Sequence, residues 1–166
     1  MNTSPILLVL ALLSFTGATH AQSSLGDKVI EAGHDWLIGH WEATDDDGRT
    51  LHQSFAWDLD KHVIAMVTKN PRWEIKGMTG LNPEKEAEAV FVGFSNRGGA
   101  VKGRWSKKDG SPMLRIKAMS QDGNAWEGAV VYKKINGTTM EVQLFGVDDN
   151  GQLKESVETT LTYRKK

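Results

Sequence analysis

The run Leu37-Ile38-Gly39-His40-Trp41 marks the point where the apolar pattern of the chain changes from a helical period to a period of two. From it onward, alternate residues divide between two faces. Gly39, Trp41 and Ala43 share one, and His40, Glu42 and Thr44 share the other. That alternation is the signature of a strand with one face in an apolar interior.

Downstream the same period repeats to the end of the chain. Ten strand-like runs are expected, near Ile38–Ala43, Thr50–Asp58, His62–Lys69, Arg72–Leu81, Ala87–Ser95, Ala100–Lys107, Met113–Ser120, Ala125–Ile135, Thr139–Val147 and Leu153–Arg164. Short breaks rich in Gly, Asn, Asp and Pro separate them. A parallel crossover needs a dozen or more residues, and none of these breaks has them. The strands must therefore pair as sequential antiparallel neighbours. A sheet of about this many strands removes its edges by closing. The expected fold is all-β: a closed up-and-down antiparallel barrel of about ten strands, with a short N-terminal helix.

The alternation also nominates an interior. Phe55 and Trp57, Phe91, Trp105, Trp126 and Tyr132, and Met140 fall on inward faces and are the candidate wall of a ligand cavity. On the seventh run Leu114, Ile116 and Ala118 are expected inside, with Arg115 and Lys117 outside.

Upstream, Ser23–Trp36 reads as a helix, with Ser24 as its cap, Asp27 early, and Leu25, Val29, Ile30 and Trp36 on an apolar face. It is expected to cover one barrel end or edge. Before it lies the apolar segment Pro5–Phe15, too short to span a bilayer, followed by Thr19-His20-Ala21. This reads as a secretory signal peptide over residues 1–21, with cleavage before Gln22, so that residues 22–166 form one barrel domain. The start, Met1-Asn2-Thr3-Ser4, carries no Lys or Arg. Localisation is expected to be periplasmic or extracellular.

The totals bound the function. Net charge is −1 with acids and bases interspersed, which favours neither nucleic acid nor an anionic membrane as partner. There is no Cys, so disulfides, thiolate nucleophiles and Cys-ligated metals are excluded. After signal cleavage no membrane-spanning segment is expected, and the sequence does not specify an oligomeric state. Asp45-Asp46-Asp47-Gly48 and Asp148-Asp149-Asn150-Gly151 hint at calcium but lack the later Glu of a calcium loop; they read as tight turns. Asn136-Gly137-Thr138 fits a glycosylation sequon and equally a hairpin turn. After Ala21 the histidines are His34, His40, His52 and His62, and they are read as exposed polar residues of the outer barrel face rather than a metal site. No Gly-x-Ser-x-Gly elbow is present.

Leu37-Ile38-Gly39-His40-Trp41 resembles the opening of lipocalin-like, calycin-type barrels. The resemblance implies that Trp41 plugs one end of the barrel beside Gly39, and that Arg164, in Leu161-Thr162-Tyr163-Arg164, lies over its ring as a cation–π partner. The layout of Gly80-Leu81-Asn82-Pro83-Glu84 and Phe91-Val92-Gly93-Phe94-Ser95-Asn96-Arg97-Gly98-Gly99 resembles uncharacterised exported bacterial lipocalin-like domains. The similarity runs from about Trp36 to Arg164 and implies a fold and small-molecule binding. Related barrels that hold haem use a His in the C-terminal part. None follows His62 here, so no cofactor is expected.

The reading that results is an exported protein holding a small hydrophobic molecule in its barrel, with no catalytic residues. Two alternatives stay open: an acid–base enzyme acting on a hydrophobic substrate inside the cavity, and a filled barrel that binds a partner.

Overall fold

The computed structural model describes residues 23–166. The expected signal peptide lies outside them. The described chain opens with helix α1 (Leu25–Glu31) and a 3-10 turn at Asp35–Leu37. Ten strands follow: β1 (Gly39–Thr44), β2 (Thr50–Asp58), β3 (Val63–Lys69), β4 (Glu74–Asn82), β5 (Lys85–Ser95), β6 (Ala100–Lys108), β7 (Ser111–Met119), β8 (Ala125–Lys134), β9 (Thr139–Gly146) and β10 (Thr159–Lys165). Each pairs antiparallel with its chain neighbour, and β1 pairs with β10, so the sheet closes into a barrel. The closing seam is short, holding two register pairs, Trp41 with Lys165 and Glu42 with Arg164.

The turns use the residues that tight reversals require. Asp45 accepts from the backbone N–H groups of Asp47 and Arg49 through one carboxylate oxygen, and Gly48 sits at φ +75°. Asp148 does the same for Asn150 and Gln152, with Gly151 at φ +73°. Asp45 and Asp148 are therefore turn residues.

Strand parity delivers the expected interior. Trp41, Phe55, Phe91, Val101, Leu114, Tyr132, Met140, Val142 and Tyr163 are buried in one cluster. Gly77 and Gly93 stand opposite each other on β4 and β5, and the Phe91 ring fills the space their missing side chains leave. Arg115 points outward, donating to Glu127 at 2.9 Å and to the Gly151 carbonyl.

Two elements differ from expectation. The helix is shorter than Ser23–Trp36. Ser24 does cap it, in a reciprocal box with Asp27, but the helix ends at Glu31 and Gly33 turns at φ +67°. The tenth strand begins at Thr159 rather than Leu153. Residues 147–158 instead fold back over the outside of the barrel, anchored by a bridge between Val147 and Leu153. The physical reason lies on the outer face of β8 and β9. Ala129, Val131 and Phe145 point outward yet are fully buried, and Leu153 packs against them. An outward apolar cluster must be covered, and the segment before β10 covers it.

Candidate ligand cavity

Trp41 is buried among close partners. The Trp41 indole is 1% exposed, donates Nε1–H to the Leu37 carbonyl at 2.8 Å and meets Trp36 edge-on at 6.2 Å. Lys165, not Arg164, lies over its ring, 5.0 Å from the centroid. Parity explains the correction: Tyr163 is buried inside, so Lys165 shares its face, while Arg164 is exposed outside opposite Glu42. Lys165 Nζ also donates to the Trp36 carbonyl at 3.2 Å. Gly39, at φ +138°, leaves room for this ammonium stem, since a Cβ there would stand 2.6 Å from Lys165 Cε.

Beneath α1 space remains. A cavity of about 220 Å³ lies between the helix and β2–β7. Leu25 and Val29 of α1 and Leu37 of the 3-10 turn roof it; Phe55, Ile64, Thr79, Leu81, Ala89 and Trp105 form its walls. The helix and the 3-10 turn lie here because Leu25 of the one and Leu37 of the other are buried, and the barrel mouth is the apolar surface they meet. Two of the six wall residues, Thr79 and Ala89, are short, which leaves space between the larger ones and the helix. Thr79 and Ala89 occupy positions where a larger side chain would reach the helix.

Two polar pairs sit in and behind the wall. Trp105 Nε1–H donates to Thr79 Oγ1 at 2.9 Å, which leaves the indole face toward the cavity and its one donor satisfied. Deeper, Gln53 Nε2 donates to the Tyr132 hydroxyl at 3.0 Å. Tyr132 meets Phe55 edge-on at 5.6 Å and Trp105 at 5.7 Å, so it backs the wall without lining it. Burial pushes the Tyr132 phenol well above its ordinary range and the Tyr163 phenol up to about 12. Both stay neutral near pH 7.

The sequence-nominated wall thus divides. Phe55 and Trp105 line the cavity. Phe91, Tyr132 and Met140 are buried core. Trp57 is half-buried at the rim, beside the 3-10 turn Leu59–Lys61. Trp126 keeps the inward parity of Tyr132 but sits at the far mouth, 42% exposed, with its ring over Gly128. Alternation gives the face of a residue, not its depth along the barrel axis, and Trp126 shows the difference.

His34 is the residue sequence reasoning placed wrongly. It lines the cavity rather than the outer barrel face, and its Nε2 is the one buried side-chain polar atom among the described residues without a hydrogen-bond partner. Burial holds its imidazole below the ordinary range, and Lys107 adds to this; the Gly33 backbone and Asp35 oppose it. His40 and His52 do not converge on it. His52 Nδ1 meets Glu42 at 3.1 Å on the outer face, where His40 pairs in register with Ser54. Among the described residues no three His, Asp or Glu side chains are grouped to hold a metal.

No family model matches the chain, and no curated protein does. Solved barrels are similar to it. A de novo designed fluorescence-activating β-barrel matches at 19% identity with a TM-score of 0.27, over 80% of this chain and 95% of its own. The structure of EF1p2_mFAP2b bound to DFHBI matches at 14% identity with a TM-score of 0.30, over the same shares. The strand pairing itself makes the chain a closed, ten-stranded, all-antiparallel barrel.

Proposed function

We propose that this protein binds a small, largely apolar molecule in the cavity under α1. The cavity itself carries the reading: an apolar space walled by Phe55, Ile64, Leu81 and Trp105 and roofed by α1. A cavity of about 150 Å³ takes a benzene-sized guest, so 220 Å³ suits roughly nine non-hydrogen atoms. Of the polar groups behind its walls, Tyr132 and Tyr163 stay neutral near pH 7, and among the described lining residues there is no Asp or Glu to act with His34 as an acid–base pair, which supports binding. The test is calorimetric titration with uncharged probes such as 1-octanol. Binding is expected at tens of micromolar or tighter, on the order of 6 kcal/mol. Ala89→Leu, which fills the space, is expected to abolish it while the melting temperature is kept. Undiminished binding in that variant would place the probe elsewhere.

The proposal includes membership of the lipocalin-like barrels, supported by Gly39-His40-Trp41 at the start of β1 and the helix across that end. It also includes export, supported by Pro5–Phe15 and Thr19-His20-Ala21. N-terminal sequencing from the native host should begin at or near Gln22; recovery of Met1 would reverse it.

One observation favours partner binding as a second reading. Met78, Val92 and Phe94 are exposed on the outer face of β4 and β5, with Met78 and Val92 in register. This reading overtakes the first where no apolar probe binds.

A further inference from the structure

We propose that the guest is a medium-chain monocarboxylic acid, its apolar tail in the cavity and its carboxylate at the mouth between Lys28, His34 and Lys107. This rests on the cavity being a binding site and adds what the polar end of the guest must be.

Two independent observations carry it. The first is the sign of the lining. The whole chain holds 20 basic and 21 acidic residues, evenly mixed. Among the described residues that line the cavity, Lys28, His34 and Lys107 are basic and none is Asp or Glu. An electropositive rim on an apolar pocket selects an amphipathic anion. A cation is repelled, and a neutral guest leaves two ammonium groups without a counter-ion.

The second is the orphan nitrogen of His34. Buried polar atoms nearly always have a partner, and a specific exception needs an explanation. The interior donors Trp41, Trp105 and Gln53 each have one, in Leu37, Thr79 and Tyr132 respectively. Among the described residues His34 Nε2 alone does not. On the protonated ring the Nε2–H and the neighbouring ammonium both donate to a carboxylate. An apolar guest satisfies neither.

The electrostatics of the imidazole then reverse on binding. In the empty site, burial and Lys107 disfavour its charged form, against Asp35 and the Gly33 backbone. An adjacent carboxylate favours that form, so His34 takes up protons more readily when the guest is present.

The experiment compares octanoate, 1-octanol and octylamine by calorimetry at neutral pH and low salt, on the full chain. Octanoate is expected to bind about tenfold or more tightly than 1-octanol, the ratio that one charge-assisted hydrogen bond supplies. Octylamine is expected to be the weakest. Raising the salt should shrink the acid-to-alcohol ratio, because Lys107 is exposed and screened. Lys107→Met should bring the ratio toward one at an unchanged melting temperature. The His34 imidazole, followed by NMR, should titrate at higher pH with octanoate and not with 1-octanol. Equal binding of acid and alcohol, or an unmoved His34 titration, overturns the inference and leaves the apolar site standing. Binding of none of the three overturns the site as well.

Discussion

Trp41 shows how much one residue can specify. It is buried, donates to Leu37, meets Trp36 edge-on and lies under Lys165. Trp41→Ala is expected to cost ~3–5 kcal/mol in urea melts, the range for truncating a large aromatic in a core. Lys165→Ala should cost ~0.5–2 kcal/mol, as a partly desolvated cation over a ring. Arg164→Ala should fall within about 0.5 kcal/mol of the parent, as an exposed side chain away from such features does. The reverse ranking of the two cations would restore Arg164 to the ring. The tyrosines give a second check. Their folded pKa values lie above the unfolded value near 10, so the folded state holds the phenolic protons more tightly. The stability this contributes is complete below pH 10 and is lost as pH rises toward 12 and beyond. Each tyrosine should contribute a slope of about 1.4 kcal/mol per pH unit there. Tyr163→Phe should lower the slope measured from alkaline melts, and an unchanged slope would mean that Tyr163 is not held neutral. At this scale the burial of Trp41 was legible through alternation, which put it on the inward face with Gly39 and Ala43, while its role as a plug came from the resemblance. Its cation was legible only to within one position, and one position along a strand is a change of face.

Among the elements, the strands were readable and the coverings were not. Period-two alternation located the inward faces of β2, β6, β7, β8 and β9 because burial on one side imposes it. The segment before β10 alternates too, yet it pairs with nothing over most of its length. Its role follows from the outward apolar residues of β8 and β9, which a strand-by-strand reading does not connect with it. Leu153→Ala should therefore destabilise by about 1–2 kcal/mol, below a full core truncation because Leu153 is only half-buried. It should leave 1-octanol binding unaltered, since it acts on the outer face. Loss of binding in that variant would link the strap to the cavity. Helix α1 makes the opposite case. Leu25→Asp removes its buried anchor and should weaken probe binding, while amide protection in β6, β7 and β8 persists. Collapse of that protection would mean that α1 is needed by the barrel and not only by the cavity. The cavity was legible in part. Of the residues nominated as its wall, Phe55 and Trp105 line it, while Phe91, Tyr132 and Met140 are buried in the core around it. Its true position depends on the short residues Thr79 and Ala89 and on a roof from a separate element.

For the molecule as a whole, closure sets the hierarchy of strength. Neighbouring strands share long registers, seven pairs between β2 and β3 and nine between β6 and β7, whereas β1 and β10 share two. Hydrogen exchange should find the amides of the β1–β10 seam opening first and those of β6–β8 last. A seam that exchanges as slowly as β7 would show that the barrel opens only by global unfolding. Lys165 reinforces the weak place, bridging β10 to Trp36 and Trp41, and so ties the seam to the same 3-10 turn that roofs the cavity. This bridge has a consequence for the newborn chain. Lys165 and Trp36 stand 129 residues apart in sequence. At ribosomal speeds of about 5–20 residues per second, roughly 6–25 s separate their appearances. Through that interval the growing sheet has two bare edges and an unlatched roof. The span of greatest exposure to mispairing and to chaperones is thus written into the distance between the two ends of a single lysine contact.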